Sequence, residues 1–168
     1  MKKHIILIGF MGSGKSTVGA ALAQKLDLPL HECDAEVERR CGSTIAELID
    51  TQGEPAFRKL ERESLQALVE AEPGVISTGG GIISNPEGRE LLSTLDTAVV
   101  WLKIDFAATE QRVNNDPTNN RPLFRNVKTA QELFEQRQEY YKNAASITVD
   151  ATQPVEVIVE AIMREIKA

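Results

Sequence analysis

Short apolar runs alternate with amphipathic stretches along the whole chain. His4-Ile5-Ile6-Leu7-Ile8 is such a run and ends at Gly9, which predicts a buried strand over residues 4–9. From Lys15 to about Lys25, Val18, Leu22 and Leu26 recur at four-residue spacing and predict a helix, broken by Asp27-Leu28-Pro29. Residues 30–33 read as a second, short strand. Residues 34–41, 43–50 and 54–71 read as helices separated by Gly42 and Gly53, the last with Phe57, Leu60, Leu65 and Leu68 inward. Pro73-Gly74 turns the chain into a strand, Val75-Ile76-Ser77, and Gly79-Gly80-Gly81 follows at its end. A helix over 86–93, a strand over 97–102 and a helix over 106–112 come next. Residues 113–126, rich in Asn, Asp and Pro, show no period and read as a mobile loop. The chain closes with a helix over 128–142, a strand over 147–150 and a helix over 154–167, with Val155, Ile158, Ile162 and Ile166 inward.

Strands alternating with helices predict an α/β fold: three layers, with a central parallel sheet flanked by helices. Such sheets bind ligands beyond the carboxyl ends of their strands. Gly9, Glu32/Asp34, Ser77/Gly79–Gly81 and Asp105 all stand at those ends and are expected to share one cleft. The 168 residues suffice for one domain with a real core, and 42% apolar with 26% charged residues is the balance of a soluble globular chain. The net charge of −6 excludes a global basic field for nucleic acid or anionic membrane, so anionic ligands need local cations. Cys33 and Cys41 form no Cys-x-x-Cys pair and read as free thiols. With no signal peptide or membrane-length apolar run, a cytoplasmic protein is expected.

Gly9-Phe10-Met11-Gly12-Ser13-Gly14-Lys15-Ser16-Thr17 joins the first strand to the first helix. Strand, glycine loop and helix start are the context in which G-x-x-x-x-G-K-S binds phosphates. Glycines let bare N–H groups approach phosphate oxygens, and the helix N-terminus adds donors and partial positive charge. Lys15 is placed to reach the β- and γ-phosphates and Ser16 to ligate Mg²⁺. The loop therefore selects a nucleoside triphosphate, and other residues choose the acceptor.

Glu32 and Asp34, two apart at a strand end, point to one side if extended; they hold Mg²⁺ or an acceptor hydroxyl, or Asp34 simply caps a helix. Three consecutive glycines bring backbone close to a ligand, or make a loose turn. Arg58 has Glu54 and Glu61 at helical spacing and is either a surface ion pair or an anion ligand. Arg137 lies on a stripe of Leu133, Phe134, Tyr140 and Tyr141, with no acid at helical spacing on that face. Its head either snorkels to water or grips an anion in a cleft. Arg121, in the Asn-rich loop, can close over a γ-phosphate; Arg112 precedes that loop. His4 and His31 form no constellation for metal or triad chemistry.

The P-loop, the carboxylates after strand 2, Gly53-Glu54-x-x-Phe57-Arg58-x-x-Glu61, Thr78-Gly79-Gly80-Gly81, Arg121-Pro122-Leu123 and Arg137 occur in this order. Together they resemble the shikimate kinases, over essentially the whole chain. The resemblance implies one P-loop kinase domain over residues 1–168, with a substrate-binding helical region at about 34–61 and a lid at about 113–126. It implies transfer of the ATP γ-phosphate to the 3-hydroxyl of shikimate, giving shikimate 3-phosphate and ADP in aromatic amino acid biosynthesis. Gly12, Ser13, Gly14, Lys15, Ser16 and Thr17 would wrap the phosphates, with Ser16 on Mg²⁺. Lys15, Asp34 and Arg121 would be catalytic, Asp34 holding the acceptor hydroxyl. Arg58 and Arg137 would bind the carboxylate, and the backbone of Gly79, Gly80 and Gly81 a ring hydroxyl. Arg121 would cover the phosphates, while Arg112, Gln153 and Pro154 would flank the adenine. A monomer without nucleic-acid or membrane partners is expected. The family usually carries Asp-x-Asp after strand 2; here it is Glu32-Cys33-Asp34, which leaves Glu32 a water-mediated role toward the metal. Another polyol-acid kinase such as a gluconate kinase, a nucleoside monophosphate kinase, or an idle nucleotide-binding module are the competing readings. The intact Lys15, Ser16 and Asp34 speak against the last.

Overall fold

The computed structural model describes residues 3–117 and 122–168. The elements run β1 (Ile5–Ile8), α1 (Lys15–Leu26), β2 (Leu30–Glu32), α2 (Cys33–Cys41), α3 (Ile45–Gln52), α4 (Glu54–Glu70), β3 (Val75–Ser77), α5 (Pro86–Thr94), β4 (Ala98–Lys103), α6 (Phe106–Asn115), α7 (Val127–Ala144), β5 (Ile147–Asp150) and α8 (Val155–Lys167). Two 3₁₀ turns, Ile82–Ser84 and Pro122–Arg125, interrupt the loops. The five strands are parallel in the order β2-β3-β1-β4-β5.

A central parallel strand is covered on both faces, so β1 is apolar at every position. Alternation then sorts its side chains. Ile6 and Ile8 join Leu65 of α4, Leu92 of α5 and Tyr141 of α7 on one face. Ile5 and Leu7 join Val18 and Leu22 of α1 and Ile158 and Ile162 of α8 on the other. A satellite cluster of Val37, Leu48 and Phe57 ties α2 and α3 to α4 and builds the wall beside β2. Local chemistry fixes the helix starts: Thr44 and Glu47 form a capping box, and Asn85, Asp105 and Asn126 accept backbone N–H groups at α5, α6 and α7. Both cysteines are free thiols. No helix among the described residues is long and apolar enough to cross a membrane.

Three expectations are corrected. Strand β2 ends at Glu32, and Asp34 lies in the first turn of α2, so the two carboxylates do not share an extended strand end. Residues 113–126 are not all aperiodic loop. Helix α6 runs to Asn115, because Val113 continues the stripe begun by Thr109, and both are buried against the P-loop at Gly12. Residues 118–121, including Arg121, lie outside the described residues. Ile166 is exposed rather than inward. The stripe on α8 advances by 3.6 residues per turn, so Val159 takes the inward place beside Ile158 and Ile162, and the last turn passes beyond the sheet.

Candidate active site

The carboxyl ends of β1, β2 and β3 open into one cleft of about 910 Å³, lined by the P-loop, the start of α2, α4, the glycine turn and α7. Gly12 and Gly14 adopt φ of 78° and 93°, conformations that any side chain would strain, and Gly14 is the N-cap of α1. The loop thereby turns sharply enough to leave the start of α1 facing the cleft. Lys15 folds over it, donating to the carbonyls of Gly9 (2.6 Å) and Phe10 (3.1 Å). Ser16 Oγ lies 3.3 Å from Glu32 Oε2, so a hydroxyl and a carboxylate meet beside the phosphate loop. Thr17 also lines the cleft, whereas Ser13 is fully buried beneath it. Arg112 braces the loop from α6: Nη1 donates to the Gly12 carbonyl (3.2 Å) and Nη2 to that of Ala151 (2.6 Å). Gln153 and Pro154 follow Ala151 on the turn after β5, outside the lining of the cleft.

The acceptor-side groups line the rest of the cleft, and the glycine turn among them packs directly on the P-loop. The glycine turn engages all three of its carbonyls. Ile82 N–H donates to Gly79, Tyr141 Oη to Gly80 and Ser84 N–H to Gly81. The amides of Gly79, Gly80 and Gly81 are left, among the described residues, as the turn's uncommitted polar groups. A Cβ on Gly79 would stand 2.7 Å from Glu61 Oε2 and 2.9 Å from Asp34 Oδ1, so this glycine makes room for two carboxylates. Asp34 is open to the cleft, yet its surroundings are protein rather than bulk water. Desolvation therefore raises its pKa, against the lowering pull of Lys15.

Glu61 is a buried carboxylate, 1% exposed. Its Oε1 accepts from Arg58 Nη1 at 2.9 Å, while Oε2 has no hydrogen-bond partner among the described residues. Burial pushes its pKa from 4.5 to about 7, opposed by Arg58 and reinforced by Asp34. The native state thus holds this proton more tightly than the unfolded chain. Stability is expected to fall as pH rises from about 4.5 to about 7, by on the order of 3 kcal/mol in all. Urea unfolding of Glu61→Gln should lose that slope; an unchanged slope would assign it to another group.

Arg58 is an ion-pair partner, but not a surface one. Glu61 holds it from within, Glu54 lies 3.4 Å away at the rim, and the guanidinium lines the cleft. Arg137 does not snorkel. It is 6% exposed, sits 5.6 Å from the Phe10 ring and donates from Nε to Ser84 Oγ at 2.9 Å. Among the described residues it has no carboxylate partner, and its guanidinium also lines the cleft. Two arginines, three glycine amides and Asp34 therefore face a phosphate loop, a set suited to an acceptor with one carboxylate and several hydroxyls.

A shikimate kinase family model matches residues 11–167. The chain belongs to that family. Shikimate kinases are ATP-dependent kinases that phosphorylate a hydroxyl of shikimate. A shikimate kinase of Sulfurihydrogenibium is 39% identical, over 98% of both chains. The structure of an Acinetobacter baumannii shikimate kinase in complex with shikimate superposes with a TM-score of 0.89 at 32% identity, covering 98% of this chain and 93% of that one. A gluconokinase of Sinorhizobium meliloti shares the fold, with a TM-score of 0.70 at 19% identity over 99% of this chain and 92% of that one.

Among the described residues, the P-loop, Asp34, Arg58, Glu61, the glycine turn and Arg137 converge on the cleft, whereas Asp105, expected there, caps α6 outside its lining, and Gln153 and Pro154 adjoin it only through Arg112. Periodicity overlooked the framework behind the motifs. Glu61 and Ser64 occupy the inward stripe of α4 beside Phe57, Leu65 and Leu68, and a polar residue on such a stripe was the available signal. Ser84 and the 3₁₀ turn that presents it carried no signal of their own.

Proposed function

We propose that this chain is a shikimate kinase that transfers the γ-phosphate of ATP to the 3-hydroxyl of shikimate, giving shikimate 3-phosphate in aromatic amino acid biosynthesis. The observation that carries the reading is the cleft itself. Arg58, Arg137, the glycine turn and Asp34 line one cleft together with Lys15 and Ser16 of the phosphate loop. The residues of the P-loop, Gly12 to Thr17, hold the phosphates, and Lys15 neutralises charge on the transferring group. Arg58 and Arg137 grip the carboxylate, and Gly79, Gly80 and Gly81 offer N–H groups to ring oxygens. Asp34 orients the acceptor hydroxyl and takes its proton, a task its raised pKa favours. Little covalent work is left to the protein beyond alignment.

Ser16 and Glu32 fit Mg²⁺ by their chemistry, two hard oxygen donors 3.3 Å apart beside the phosphate loop. Ser16 would ligate the ion directly and Glu32 through water; the ion supplies charge neutralisation on the phosphate oxygens. Arg112, with Gln153 and Pro154 beyond Ala151, flanks the adenine. We assign residues 34–61 to acceptor binding and 113–126 to covering the site, and the whole chain to one kinase domain. Arg121 is given the γ-phosphate on the strength of its Arg-Pro-Leu motif. The enzyme is read as a cytoplasmic monomer, since one chain supplies every group named, and its charge of −6 disfavours nucleic acid and anionic membrane as partners. The test is release of ADP from Mg²⁺-ATP on adding shikimate, against gluconate as the control acceptor.

A further inference from the structure

Tyr141 is fully buried, stacked on Trp101 of β4 with ring centroids 5.9 Å apart. A phenylalanine would fill the same space. A hydroxyl taken out of water needs a partner, and this one donates to the Gly80 carbonyl at 2.6 Å. Gly80 is the glycine that packs on the P-loop: a Cβ there would stand 3.3 Å from the Gly9 carbonyl oxygen and 3.4 Å from the Met11 nitrogen. The glycine turn is therefore held between phosphate-loop backbone on one side and the phenol on the other. Arg137, one helical turn before Tyr141, sits beside the same hydroxyl and bonds Ser84. The Ser84 N–H in turn closes on the Gly81 carbonyl. Tyr141, Gly80, Gly81, Ser84 and Arg137 thus form a closed ring of contacts that begins and ends on α7.

We propose that Tyr141 is a positioning residue for the acceptor. Its hydroxyl locks the glycine turn and Arg137 into one rigid unit, so that N–H groups and guanidinium meet the same substrate together. The inference rests on the function proposed above, because only that reading gives the turn and Arg137 a common ligand. Preorganisation of this kind acts first on acceptor binding, since the P-loop meets the turn through backbone packing and not through the phenol.

The experiment is steady-state kinetics of Tyr141→Phe, which keeps the ring and the stack on Trp101. The KM for shikimate should rise about tenfold, the equivalent of one lost hydrogen bond, with the KM for ATP within about twofold and kcat little changed. In thermal unfolding the variant should lose most of the shift that shikimate gives and keep the one that ATP gives. A merely structural tyrosine would lower the melting temperature and raise both KM values alike; that outcome, or unchanged kinetics, overturns the proposal. A second reading needs no variant. The buried Tyr141 hydroxyl proton should give a slowly exchanging NMR resonance that moves on adding shikimate and not on adding ATP, and a resonance indifferent to shikimate also overturns it. Wild-type enzyme inactive on shikimate would remove the functional reading and this inference together, whereas active wild type with an unaffected variant removes this inference alone.

Discussion

Asp34→Asn is expected to lower kcat by about two to four orders of magnitude while leaving ATP affinity within about twofold. The substitution keeps the shape of the side chain and removes its charge and basicity. Asp34 lies on the first turn of α2, and Lys15 and Ser16 shape the phosphate loop through the Gly9 and Phe10 carbonyls and through Glu32. Nucleotide binding should therefore survive. The carboxylate also helps raise the pKa of Glu61 across Gly79, so Asp34→Asn should move the titration of Glu61 downward. Turnover comparable with wild type would return Asp34 to an ordinary first-turn acid, stabilising α2 through the helix dipole and nothing more.

The arginines come next in size, and they should fail differently. Arg137→Ala is expected to raise the KM for shikimate about a hundredfold, the equivalent of losing a charge-assisted contact to a carboxylate, with little change in the KM for ATP. It gives up its bond to Ser84, while Glu61 keeps its ion pair with Arg58. Arg58→Ala should weaken shikimate to a similar degree and in addition destabilise the fold near pH 8 by on the order of 1 kcal/mol, because loss of its lowering pull raises the Glu61 pKa further and the buried carboxyl must take up a proton. That extra loss should shrink toward pH 5, where Glu61 takes up a proton. Paired measurements of shikimate affinity and urea stability at both pH values separate the two arginines. Equal stability losses at both pH values would contradict the role given to Glu61.

Residues that act through their own side-chain type at a fixed spacing were legible in the sequence. The P-loop lies where its glycines and Lys15 put it, and the order of strands and helices follows from apolar spacing. Arg137 was legible because an arginine with no acid at helical spacing on an apolar stripe is a chemical anomaly. What escaped were groups whose meaning depends on distant partners. Glu61 looks like half of a surface pair until α4 turns it inward against Gly79. Tyr141 looks like core until its hydroxyl meets a carbonyl 61 positions earlier. Helix α6 outlasts its polar composition because Val113 packs under Gly12, a tertiary contact that no local pattern announces. Strand β2 stops early because the chain enters α2 at Cys33, and Asp34 reaches the cleft from a helix instead.

The most direct measurement is ADP release coupled to identification of the product, with Mg²⁺-ATP and either shikimate or gluconate as acceptor. The expected result is stoichiometric ADP and shikimate phosphorylated on its 3-hydroxyl, with no turnover above background on gluconate. Phosphorylation of gluconate in preference to shikimate, or ADP release without a phosphorylated acceptor, would contradict the account.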